Sequence, residues 1–182
     1  MLNVEGRVNG DPSVPVLLSS DGRDQARLLG AQVANLEVDL CVVSRFPRAH
    51  ETAEIALEGR GVPFVVDPLL DDIRIGELEG LPIARYEEVK REVGRKKPFP
   101  GGESLDAAAL RYAAAFRGLL ERDERQVLVV SHEIPVRYAL NAATGAAELD
   151  GPPFHLIPNA VPYLFEGEAL ARAAARIEAL AS

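Results

Sequence analysis

The sequence has no tryptophan, one cysteine, one methionine and three lysines against seventeen arginines. No apolar run approaches the ~20 residues that a bilayer-spanning helix requires, so no membrane partner is expected. With no indole and ten other aromatic rings, a base-stacking surface has little to be built from. Acidic residues outnumber basic ones 28 to 20, giving a formal charge of −8. That sign repels phosphate backbones and argues against general nucleic-acid binding. Cys41 has no second thiol to pair with and sits in the apolar run Leu40–Val43, so it reads as a small buried hydrophobe in a protein of the reducing cytoplasm. The first residues, Met1 to Arg7, lack the basic start and long apolar core of a signal peptide.

What is present is globular. Hydrophobic residues make up 47% and charged residues 26% of 182 residues, enough for one well-buried core and one domain over residues 1–182. Two short runs, Leu40–Val43 and Val127–Val130, are apolar without polar alternation, as in parallel strands covered on both faces. Pro63–Asp67 and Ala160–Phe165 are weaker strand candidates. After Ser19 and Ser20 the positions Ala26, Leu29, Val33 and Leu36 recur at helical spacing, and a second helix is expected from Ser104 to about Glu121. Further helices are expected over 48–58, 83–93, 134–143 and 168–180. Alternating strands and helices imply a three-layer α/β/α sandwich with a mainly parallel sheet.

In such sheets reactive groups gather just past the carboxyl ends of strands. The first run is followed by Ser44 and Arg48, the latter near the start of a helix whose free N–H groups favour an anion. A guanidinium there can clamp an oxyanion; it can equally pair with Glu51 or Glu54 on the surface. The second run is followed by Ser131-His132, an imidazole at a strand-to-helix junction suited to a base, a phosphate ligand or a structural hydrogen bond. His50 and His155 show no metal-ligand spacing with it, so no metal is expected. Residues 70–80 gather four carboxylates, including Asp71 and Asp72, able to supply a proton donor or merely a solvated loop. Pro100-Gly101-Gly102-Glu103-Ser104 is a turn into a helix N-cap without the ending of a nucleotide-binding P-loop.

The order of these pieces resembles the histidine phosphatase superfamily, also called the phosphoglycerate mutase-like family, across nearly the whole chain. Its Ser-x-x-x-Arg-Ala-x-x-Thr-Ala segment corresponds to Ser44–Ala53, its Gly-x-x-Glu-Gly to Gly76–Gly80, its Pro-Gly-Gly-Glu-Ser box to residues 100–104, and its strand ending in Ser-His to Val127–His132. Asn159-Ala160 fits the start of its last strand. The resemblance implies Arg48 and His132 as phosphate ligands and catalytic groups, Asn3 as a further phosphate ligand, and Asp72 as proton donor, with Asp71 as a register-shifted alternative.

Two departures matter. The family opens with a strand ending in Arg-His-Gly-Glu-Thr, whose His is the nucleophile; no Arg-His-Gly occurs here, and Asn3 with Gly6-Arg7 fit only the segment downstream of that motif. An N-terminal truncation relative to the family is therefore expected, through a misassigned start or a genuine loss. The family's donor is a Glu where this chain has Asp72. The implied reaction is phosphomonoester hydrolysis through a phosphohistidine, without cofactor, on a small phosphorylated metabolite, and impaired in this chain. The alternative is a non-catalytic module binding a phosphoryl ligand or a protein. Only 27 residues separate Asp72 from Pro100, a short lid that suits a hydrolase better than a mutase shielding its phosphoenzyme from water. Lys90, Arg91, Arg95, Lys96 and Lys97 in that lid are candidate contacts for an anionic substrate. Without its opening strand the sheet has to compensate: residues 1–8 drawn inward, closure of the sheet, or a segment donated by a partner in a homodimer.

Overall fold

The computed structural model describes residues 5–182; the role expected of Asn3 falls outside the described residues. Helix α1 (Ser20–Gln32) starts where the Ser19 hydroxyl accepts from the Gly22 N–H at 2.9 Å. Strand β1 (Leu40–Val43) leads into α2 (Pro47–Ala56), with proline at the first turn, where no N–H is needed. Strand β2 (Phe64–Val66) follows, then 3-10 turns at Pro68–Leu70 and Gly76–Leu78 and helix α3 (Ile83–Val93). Helix α4 (Leu105–Leu120) is capped by Ser104, whose hydroxyl accepts from the Ala107 N–H at 3.0 Å. Strand β3 (Val127–Val130), α5 (Glu133–Ala143) and α6 (Gly167–Ala181) complete the order.

The sheet runs β2-β1-β3, all parallel, with Leu40 opposite Val127 and Val43 opposite Val130. The pleat of β1 sends alternate side chains to opposite layers. Leu40 and Val42 join the larger core with Tyr86, Tyr112, Tyr138 and Ile177 from α3 to α6. Cys41 and Val43 pack on Phe46, Ala49 and Ala53 of α2, which α1 covers from outside through Leu29 and Val33. This is the expected three-layer arrangement. Burial pushes the Cys41 thiol up to about 12, leaving it inert as a nucleophile.

Two expectations need correction. Residues 160–165 form no strand: the stretch opens on a turn, with Ala160 at a φ of 53°, and among the described residues β3 is the last strand of the sheet on its side, so no ladder reaches this segment. Nor do Gly6–Val8 move inward. They run antiparallel along Gly80–Ile83, with Val8 N–H to Leu81 O at 3.0 Å, Gly80 N–H to Val8 O at 3.0 Å and Ile83 N–H to Gly6 O at 2.9 Å. The sheet has not closed up either; a cleft of about 900 Å³ remains, with β3 and residues 157–165 among its lining. The surface of 9555 Å² correspondingly exceeds the roughly 8,600 Å² expected of a compact chain of this mass. No described helix is long and apolar enough to cross a membrane.

Candidate functional site

The loops leaving β1 and β3 open to the same end of the sheet, and their side chains meet there. Ser44 Oγ lies 2.9 Å from His132 Nε2. On the other face of the ring, His132 Nδ1 is 3.1 Å from Arg48 Nη2. A guanidinium only donates, so Nδ1 accepts and the proton sits on Nε2, directed at Ser44. Burial, with the Arg48 charge adding to it and Asp72 opposing, pushes the His132 pKa down to about 4. The imidazole is therefore neutral near pH 7. The Phe46 ring meets it edge-on at 4.5 Å and carries the Arg48 guanidinium 4.3 Å above its face.

Arg48 is the hub. Its Nη2 also donates to Asp72 Oδ2 at 3.1 Å and its Nη1 to Asn9 Oδ1. Burial lowers its pKa against the opposing pull of Asp72, but a guanidinium keeps its charge in any such setting. The surface pairing with Glu51 or Glu54 is not formed: Glu51 accepts from Arg23 Nε at 2.6 Å and from the Leu18 N–H at 2.7 Å.

The two neighbouring aspartates part company. Asp71 is buried and accepts from the Arg45 N–H at 2.9 Å and Arg45 Nε at 2.7 Å. Asp72 turns to the pocket, within 3.6 Å of His132 Nδ1. Their backbone is braced from behind by Arg111 of α4, which donates to the carbonyls of Leu69 at 2.9 Å, Asp71 at 2.9 Å and Asp72 at 3.2 Å. Glu103 holds Arg111 at 2.5 Å and the Arg74 N–H at 3.0 Å. The Pro-Gly-Gly-Glu-Ser box thus serves the acidic loop, and its glycine is steric: a Cβ on Gly102 would sit 2.2 Å from Arg74 O, and one on Gly76 2.2 Å from Pro100 O.

Sequence reasoning missed Asn9 and gave no role to Glu79, which it held only as the acid of the Gly76–Gly80 match. Asn9 Nδ2 donates to Glu79 Oε1 at 2.8 Å and the Gly10 N–H to Glu79 Oε2 at 2.7 Å, so Glu79 fixes the amide whose oxygen meets Arg48. The only local signal was the polar Asn9-Gly10 pair after Gly6-Arg7. The basic residues of the lid do not reach the pocket. Arg95 is drawn into a network with Asp106 at 2.8 Å, Tyr138 at 3.1 Å and Asp150. Arg91 bonds the Glu87 carbonyl and Lys96 that of Ser182. That segment lines the pocket with Ile83, Tyr86 and Glu87 instead.

Known proteins resemble this chain in sequence and in fold. Residues 1–179 match the histidine phosphatase superfamily (branch 1). A probable phosphoglycerate mutase GpmB from Yersinia pestis is 29% identical over 153 residues, covering 79% of this chain and 69% of that one. Among solved structures, TTHB049 from Thermus thermophilus is 30% identical with a TM-score of 0.63, covering 87% and 82% of the two chains. The mycobacterial glucosyl-3-phosphoglycerate phosphatase Rv2419c is 27% identical with a TM-score of 0.63, covering 78% and 72%.

Proposed function

The chain belongs to the histidine phosphatase superfamily, branch 1, and on that footing we propose that its pocket binds the phosphoryl group of a small phosphomonoester, with hydrolysis as the reaction the site is built for. The observation that carries this is the convergence of Arg48, His132, Asp72 and Asn9 at the carboxyl ends of β1 and β3. Arg48 and the α2 N-terminus supply charge to the equatorial oxygens. His132 offers a neutral ring to the same group. In the reaction the family resemblance implies, an imidazole takes the phosphoryl group as the P–O bond breaks, and Asp72 stands where it can pass a proton to the departing alkoxide and later accept one from the water that cleaves the P–N bond. Ile83, Tyr86 and Glu87 on the lid favour an uncharged organic moiety over a second anionic group.

The nucleophile is the weak point. Among the described residues His132 is the only imidazole lining the pocket, and it is held on both ring nitrogens. Turnover by this chain is therefore proposed to lie near background, because members of a catalytic unit act non-additively, while phosphate binding survives. Binding without turnover is the second reading, a phosphoryl-ligand module, and rests on the same observation. Calorimetry should show phosphate binding that Arg48→Ala weakens at least about tenfold, with p-nitrophenyl phosphate hydrolysis near background. Efficient hydrolysis abolished by His132→Ala would make His132 the nucleophile and overturn the inactivity.

A further inference from the structure

One carboxylate in the pocket has no part in the proposed reaction. Glu133 is the first residue of α5, directly after His132, and it lines the pocket together with Tyr86 and Glu87 of α3. A negative charge suits a first helical turn, but this one is poorly served. Among the described residues no donor reaches it in hydrogen-bond geometry, and its Oε1 is buried without a partner, a condition that few buried polar atoms tolerate. Arg137 Nη1 stands 3.2 Å from that oxygen, yet Arg137 aims its aligned bonds elsewhere, Nη1 to the His155 carbonyl at 2.9 Å and Nη2 to Asp150 at 3.1 Å. Burial raises the Glu133 pKa against the pull of Arg137; Asp72 and Glu87 add to the rise and Lys90 opposes it. Lys90 stays outside the lining, its ammonium 4.0 Å from Glu87 and 5.8 Å over the Tyr86 ring.

The charges that line this end of the pocket are Arg7 and Arg48 against Asp72, Glu87 and Glu133. Arg7 is exposed and donates to the Gly80 carbonyl at 2.7 Å. The other charges in the lining, Arg122, Glu124 and Arg125, precede β3 and so lie by the end of that strand away from His132. Even with Asp72 carrying the proton that the proposed reaction asks of it, the two signs only balance. A phosphoryl dianion held by Arg48 then adds negative charge that nothing in the lining offsets. We propose that Glu133 is the specificity residue of the pocket, selecting phosphomonoesters whose organic part carries an ammonium, the phosphates of amino alcohols, over neutral and anionic esters of the same length. The inference rests on the phosphate reading and adds the class of leaving group to it. An ammonium has three donors and no acceptor, which is what an acceptor-only carboxylate without a donor calls for, and it supplies the charge that the occupied pocket lacks. Arg137, locked by Asp150 and His155, holds Glu133 from behind and leaves its pocket side to the ligand.

Three esters of one length test this by calorimetry on the full chain: 3-aminopropyl phosphate, propyl phosphate and 2-carboxyethyl phosphate, with inorganic phosphate alongside. The ammonium ester is expected to bind about tenfold more tightly than the propyl ester, and the carboxylate ester more weakly than either. In Glu133→Gln, which keeps the length of the side chain and an acceptor for Arg137, the ratio of ammonium to propyl affinity should fall to about one. In Glu92→Gln, which removes the same charge from an exposed position on α3 outside the pocket, the ratio should stay at about ten. Inorganic phosphate and all three esters binding alike to the unaltered chain, or a preference for the carboxylate ester, overturns the ammonium inference and leaves the phosphate reading standing. No binding of phosphate or of any ester to millimolar concentration overturns the phosphate reading itself. A preference for the ammonium ester that survives Glu133→Gln takes the selection away from Glu133 and overturns its assignment.

Discussion

β1 and β3 have nearly interchangeable sequences, Leu-Cys-Val-Val and Val-Leu-Val-Val, and run side by side in register. Every residue of β1 is buried, while Val127, Leu128 and Val129 are only partly so. Side-chain composition therefore states what a strand is fit for, and neighbours decide how much of it is realised. β1 has a strand on each edge and helices on each face; β3 has a strand on one edge and a cleft on the other.

The largest expected contrast is between charges placed in the two strands. Val42→Asp buries a carboxylate between β1 and the larger core with nothing to pair with it, and should cost more than about 4 kcal/mol, leaving the chain unfolded in near-UV circular dichroism. Val129→Asp, beside an open cleft where water can reach it, should cost about 2 kcal/mol and leave a cooperative urea transition. Equal losses would show that the cleft is closed in solution.

A smaller effect is expected at the end of β3. His132 has a folded pKa of about 4 against an ordinary 6.5. Above pH 6.5 it is neutral whether folded or unfolded and its contribution is complete. As pH falls from 6.5 to 4 the unfolded chain takes up a proton that the folded one refuses, and stability should drop by about 3 kcal/mol. Urea titrations at pH 7 and pH 4.5 should show a shallower decline for His132→Asn than for the unaltered chain. Parallel declines would place the imidazole in water.

The smallest effect belongs to the residue after β1. Ser44→Ala leaves the buried Nε2–H of His132 without its acceptor at 2.9 Å and should cost about 1–2 kcal/mol, read as a lower urea midpoint with the same slope. Because Ser44 also holds the ring in place against Arg48, phosphate affinity should fall with it. An unchanged midpoint would mean that the ring proton finds another partner.

Much of this was legible in the sequence, for reasons that differ by residue. Arg48 and His132 could be placed because strand-end loops on a parallel sheet share a side, whereas Asp72 and Asp71 stayed interchangeable in the sequence and part only where Arg45 takes Asp71 and Arg48 takes Asp72. The helices followed from periodicity and from the Ser19 and Ser104 caps. Asn9 went unread, and Glu79 was seen only as the acid of the Gly76–Gly80 match, because their meeting depends on how the loop after Gly6 crosses residues 79–83, a tertiary fact with no local pattern. Ala160–Phe165 read as a strand because its residues favour one, and failed because pairing is not a property of a segment alone. The lid basics misled because Arg95 is recruited by Asp106 and Asp150, eleven and fifty-five residues away in the chain.

The brace behind the acidic loop has an evolutionary consequence. Arg111 grips three carbonyls from Leu69 to Asp72, and Glu103 ties that grip to Arg74. Asp72 is thus braced from α4 and not from the lid. Residues 83–93 can be rewritten, lengthened or exchanged without moving the Asp72 carboxyl, which in the proposed reaction serves the leaving group. On the proposed reaction, chemistry and substrate choice are carried on separate pieces of the chain, so one can drift while the other is held still.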